Sequence, residues 1–232
     1  MVRVIAPTWS KPYVSGMSST RLRRRTLLGL SAAAAVWAVG ASGAFANRPT
    51  PARLTPEDRA DIARVEQYLN SVRTLRARIL QIADNGGTAE GTLYLSRPGR
   101  LRLEYDPPVP ILLVANGTFL IHYDKDLKTV AHLPLNSTPA GLLVREKIQL
   151  SGDVTVTRVE RGPGSLRVTL VQTKDPDAGQ LTLVFGERPF ALSNWQVVDA
   201  QGNVTRVALI EPKVDVPLDP ALFRFTDPNF PQ

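Results

Sequence analysis

Apolar and polar positions change period twice along this chain. From Ile62 through Val65, Leu69 and Val72 the apolar residues recur at spacings of three and four, which predicts one amphipathic helix. Thr55-Pro56-Glu57-Asp58 supplies its start, with Thr as N-cap, Pro at the first helical position and acids in the first turn. After Val72 the period falls to two: Leu75, Ala77 and Ile79 alternate with Thr74, Arg76 and Arg78. The stretch from Thr88 to Asp124 then reads as an antiparallel meander. In it Leu101, Leu103 and Tyr105 alternate with Arg100, Arg102 and Glu104, Arg97-Pro98-Gly99 forms a tight turn, and Asn116-Gly117 marks a hairpin. Further strands are predicted near 129–133, 153–160, 165–173, 179–186, 190–199 and 203–210, with a short helix capped by Thr138. Gly162-Pro163-Gly164, Asp175-Pro176-Asp177 and Asp199-Ala200-Gln201-Gly202 provide hairpin-length links. The fold class is therefore mainly β with α: a single antiparallel sheet curled into a barrel or half-barrel.

Two strands break the half-wet pattern. Ile111, Leu113 and Ala115 oppose Leu112 and Val114, and Phe119 and Ile121 oppose Leu120, so both faces are dry here. Such a sheet is covered on both sides. The covered side is read as a pocket for acyl chains.

Charge points away from nucleic acid. The net charge is +7, but six of the 28 basic residues and none of the 21 acidic ones lie in residues 1–46. The remainder is close to neutral, without the basic excess that tracks phosphates. Residues 1–46 read as a cleaved export signal: a basic run Arg21 to Arg25, an apolar stretch Leu27 to Val39, and Ala44-Phe45-Ala46. Arg24-Arg25 leaves twin-arginine and general export both open, and Met17 is an alternative start. Residues 47–54 are expected to be a flexible leader and 55–232 one domain. Cysteine is absent, which removes disulfides, thiolate metal sites, a thiol nucleophile and a lipid-modified anchor. The expectation is a soluble periplasmic monomer.

Catalytic chemistry has little to stand on. His122 and His132 have no carboxylate at ligand spacing, and read as strand residues. Asp124, Asp126, Asp175 and Asp177 are turn acids before they are a calcium site. No nucleophile elbow, zincin helix or phosphate-cradling loop occurs. The chain is read as a non-enzyme without cofactor or metal.

Several stretches, in this order, resemble the LolA-type outer-membrane lipoprotein carriers. They are Leu75-Arg76-Ala77-Arg78-Ile79-Leu80-Gln81, Gly91-Thr92-Leu93-Tyr94-Leu95-Ser96-Arg97-Pro98, Leu101-Arg102-Leu103-Glu104-Tyr105, Asn116-Gly117, Tyr123-Asp124, Thr138-Pro139 and Phe223-Arg224-Phe225. The resemblance implies an unclosed barrel with helices over its mouth. It also implies a periplasmic shuttle that takes lipoproteins from an inner-membrane ABC-type release complex and passes them to an outer-membrane acceptor. Arg97 falls on the family's lid-closing arginine, and Leu101 on an apolar position near the mouth involved in docking to the release complex. Leu93, Leu95, Leu103, Tyr105, Leu113, Phe119, Ile121, Leu142 and Leu143 join Leu101 as cavity or mouth candidates. Ser96 and the longer leader depart from the family pattern. A free-lipid carrier or a lipid-sensing regulator of the same fold remain alternatives.

Overall fold

The computed structural model describes residues 51–228; the expected export signal and the first part of the leader lie outside them. Helix α1 spans Pro56–Ser71 and starts as its sequence dictates. The Thr55 hydroxyl accepts the Asp58 N–H at 3.1 Å, and Asp58 Oδ2 accepts the Thr55 N–H at 2.9 Å. This reciprocal box satisfies two donors that a helix end leaves free.

Eleven strands follow: β1 (Thr74–Ala83), β2 (Thr88–Ser96), β3 (Arg100–Tyr105), β4 (Ile111–Asn116), β5 (Phe119–Asp124), β6 (Thr129–Pro134), β7 (Val154–Gly162), β8 (Ser165–Gln172), β9 (Gly179–Glu187), β10 (Phe190–Asp199) and β11 (Val204–Val214). Between β6 and β7 lies helix α2, Pro139–Leu143, whose Thr138 hydroxyl caps the Gly141 N–H. The hairpin link between β4 and β5 falls at Gly117-Thr118, one residue later than Asn116-Gly117 predicts. Asn116 ends β4, and its Oδ1 accepts the N–H groups of Thr118 and Phe119.

All the strands lie in one sheet, in the order β6-β5-β4-β3-β2-β1-β11-β10-β9-β8-β7. It consists of two antiparallel meanders, β1–β6 and β7–β11, joined where β1 pairs with β11. Edge strands β6 and β7 do not bond to each other, so the sheet is unclosed.

Alternation along the strands gives the sheet two dry regions of different kinds. On one face Leu75, Ala77, Ile79, Leu93, Leu103, Leu166, Leu170 and Phe185 form a continuous core with Val65 and Leu69 of α1 and Leu142 and Leu143 of α2. On the other face Leu112, Val114 and Ile121 are buried outside that core. Their cover is the C-terminal segment. A short 3-10 turn at Pro220–Phe223 lies against β3 and β4, Phe225 packs on Tyr123 at 5.6 Å, and Arg102 Nη1 donates to the Leu222 carbonyl at 3.3 Å.

Gly91 shows how closely the central strands approach. A Cβ there would stand 2.4 Å from the Glu104 carbonyl oxygen on β3. Gly91→Ala is expected to cost about 1–3 kcal/mol through forced backbone displacement. A thermal melt should show a fall of several degrees; an unchanged melt would mean that β2 and β3 part freely.

Candidate functional site

The helices are fastened to the sheet at several points, and one fastening is buried. At the start of α1, the partly exposed Arg161 reaches the half-buried Asp58 at 3.0 Å and Asp61 at 2.6 Å. In the middle, Tyr68 meets the Phe185 and Phe190 rings edge-on at 5.8 and 5.9 Å. Asn70 exchanges two hydrogen bonds with the backbone of Ile148, at 2.8 and 2.9 Å, and Glu66 accepts the Leu150 N–H at 2.6 Å. These tie α1 to the segment that leaves α2.

The buried fastening is Arg97, in the turn between β2 and β3, which is 7% exposed. Its Nε donates to the Val72 carbonyl at 2.9 Å and Nη2 to the same oxygen at 2.5 Å. Nη2 also donates to the Leu69 carbonyl, and Nη1 to the Arg145 carbonyl at 3.3 Å. One planar fork thus holds the C-terminal end of α1 and the exit of α2 together. The turn backbone adds to this: Arg97 N–H donates to Arg73 at 2.9 Å and Gly99 N–H to Val144 at 2.7 Å. Burial pulls the guanidinium pKa down, Arg73's charge pulls the same way, and Asp215 opposes both. Arginine's intrinsic basicity keeps it charged at neutral pH all the same.

Beneath α2 lies an apolar hollow of about 70 Å3. Of the candidate residues, Leu93, Leu101, Leu103, Tyr105, Leu113 and Leu143 line it. So do Leu120 and, from the C-terminal meander, Trp195, Val197 and Val207, which the sequence reading missed. Their signal was present: Trp195 and Val197 alternate with Asn194 and Gln196 on one strand. Tyr105 donates its hydroxyl to Gln81 Oε1 at 2.6 Å, and burial holds its pKa far above the usual phenol value. A smaller hollow of about 40 Å3 continues toward Arg97, sharing Leu93, Leu143 and Trp195 and adding Leu95.

Three candidates belong elsewhere. Phe119 and Ile121 alternate with the lining residue Leu120, so they project to the opposite face; Phe119 is 39% exposed and stacks edge-on with His132. Leu142 is buried but lines a separate groove beside Arg145 and Lys174. Leu101, expected near the mouth, is buried in the wall of the hollow. His122 and His132 lie on opposite faces, because Ile121 pairs with His132 and His122 with Ala131. Asp124 Oδ1 closes its own turn by accepting the Asp126 and Leu127 N–H groups. Among the described residues no group of three or more His, Asp or Glu side chains is placed to hold a metal.

Residues 70–226 match the family model described as outer membrane lipoprotein carrier protein LolA. The chain belongs to the LolA family. An outer-membrane lipoprotein carrier protein of Azotobacter vinelandii is 32% identical, the alignment covering 80% of this chain and 91% of that one. Its counterpart in Methylococcus capsulatus is 30% identical over 72% and 83%. A LolA-superfamily crystal structure from Nitrosomonas europaea superposes with a TM-score of 0.41 at 11% identity, covering 71% of this chain and 97% of that one.

Arg97→Leu removes the fork and should loosen the seat of α1 by about 2 kcal/mol. Amide exchange in the last turn of α1 is then expected to quicken by about 30-fold. Tyr105→Phe provides the contrast, lowering global stability by about 1 kcal/mol through the unpaired Gln81 while leaving α1 exchange unaltered. Equal effects of the two variants on α1 would remove Arg97 from its place as the specific fastening.

Proposed function

We propose that this protein is a periplasmic carrier that houses the acyl chains of lipoproteins between its sheet and its helical cover. The observation that carries this reading is the buried Arg97 fork, which closes α1 and α2 over an apolar hollow. The hollow is small. A pocket for a small molecule has roughly 300–1,000 Å3, several times the space present, so a lipid tail enters only when the helices lift. The closed arrangement is on this reading the empty state.

Energetics explain why a carrier needs such a fastening. Each buried methylene contributes about 0.8 kcal/mol, so ten carbons amount to about 8 kcal/mol. A preformed cavity would retain cargo against transfer. Hydrogen bonds made only in the closed form oppose that gain, because loading must break them. Cargo then passes downhill to an acceptor with a better apolar seat. The lipoprotein carriers among the relatives support this assignment. It brings with it an ABC-type release complex as donor and an outer-membrane acceptor. Residues 1–46 serve as the export signal, 47–54 as the leader, and 55–232 as the carrier domain. No chemical step is assigned to it, and no cofactor.

Native mass spectrometry of the protein purified from the periplasm tests the cargo. Triacylated protein bound to a fraction of the molecules is the expected result, and the fraction should rise in Arg97→Leu while delivery to outer membranes falls. Bound phospholipid alone would favour a free-lipid carrier. An Arg97→Leu protein that delivers lipoprotein at the parental rate would contradict the closing role.

A further inference from the structure

Several cations among the described residues have acids beside them. Arg78 pairs with Asp106, Arg102 with Glu104, Arg145 with Asp153, Arg64 with Glu187 and Arg158 with Glu160. At the Arg97 end of the sheet the pattern stops. On the face away from the helices, Lys213 of β11 stands directly opposite Arg76 of β1, Arg76 opposite Tyr94, and Tyr94 opposite Arg102. Arg76 lies over the Tyr94 ring at 5.7 Å. Arg100 stands opposite Ser96, two pairs nearer the end, and Ser96 in turn opposite Thr74, which follows Arg73. Arg73, Arg76, Arg100 and Lys213 are all exposed, and none forms an ion pair among the described residues.

Like charges directly across a strand pair destabilise a sheet, and Arg76 with Lys213 is such a pair. Two acids lie near in the chain: Asp215, whose carboxylate accepts the Arg73 N–H at 3.1 Å, and Glu211. They leave the cluster positive. Lys213 and Arg76 stand ~4.8 Å apart on neighbouring strands. Arg100 lies on β3 and Arg73 just before β1, so the cations are spread out and do not converge on one point as a site for a single phosphate would. Ile210 on the same face is 43% exposed and flanks the cations, and Val214 at the strand end, opposite Leu75, is a further exposed aliphatic residue on the helix-facing side. A flat positive row with an exposed aliphatic neighbour complements a surface of anionic headgroups.

We propose that this row, Lys213-Arg76 with Arg73 and Arg100, docks the protein on anionic lipid. The contact would present the end of the barrel that carries the Arg97 fork to the bilayer surface. It does not depend on what the hollow carries.

Sedimentation of the purified, processed protein with phosphatidylcholine vesicles, with and without phosphatidylglycerol, tests it. Binding is expected only to the anionic vesicles, and should be lost at high salt. The double variant Arg76→Gln/Lys213→Gln should bind about 30-fold more weakly, at about fivefold per charge. Arg158→Gln/Arg167→Gln removes the same charge outside the row and should bind as the parent does; melting curves establish that both variants are folded. Absence of parental binding, or equal losses in the two double variants, would overturn the proposal. A parent that ignores vesicles but binds polyglutamate through the row would assign it to an acidic protein partner, and overturn the lipid reading equally.

Discussion

A charged group inside a protein is tolerated only when its partners replace the water it has lost, and Arg97 is the single charged side chain buried among the described residues. Its partners are carbonyls at the end of α1 and at the exit of α2. Both sides gain from the arrangement. The last carbonyls of a helix lack intrahelical donors and sit at the negative end of the helix dipole, where a cation is favoured. The guanidinium in turn finds acceptors in a place that little solvent reaches. Because these bonds share one fork, they form and break together, whereas apolar contacts such as Val65 and Leu69 on the sheet weaken gradually.

The sheet is built to make that grip possible. Pairing β2 antiparallel to β1, so that Ser96 stands opposite Thr74, places the β2–β3 turn, which carries Arg97, next to the chain leaving α1. The Arg97 N–H bond to Arg73 fixes the turn, so the side chain has nowhere to point except under the helix end. Over β3 and β4 the far face is covered by the C-terminal 3-10 turn and needs no helix. Both helices are therefore free to serve the other face. There the leucines of β2 and β3, with Trp195 and Val207, leave a little space unfilled. On the carrier reading, that unfilled space widens when the helices lift.

Much of this was legible in the residues. Strict alternation in β1 and β3, and the Thr55-Pro56 start of α1, depend on local rules that the packing did not override. The dry faces of β4 were assigned correctly, yet the cover of the far face was not found, since Phe223 and Phe225 carry no local sign of where they pack. Phe119 and Ile121 were placed at the hollow because apolar character alone cannot say which of two dry faces is the inner one. Strand parity relative to Leu120 decides it, and that parity follows from pairing with β4. Trp195 and Val207 lay outside the stretch on which the reading concentrated; their approach to Leu93 depends on the β1–β11 junction, a contact between the first and last strands in chain order. Arg97 in isolation reads as a solvated turn residue, and only family resemblance singled it out.

Displacement of α1 on loading is the central claim, and a distance measures it. The chain has no cysteine, so Gln67→Cys on the exposed side of α1 and Gln201→Cys in the β10–β11 turn can carry spin labels without interference. Pulsed electron resonance of the empty protein should give one narrow distance, and addition of a triacylated lipopeptide should shift it to a longer, broader distribution. Bound lipopeptide with the original narrow distance intact would contradict the account, since the hollow would then fill beneath a helix that had not moved.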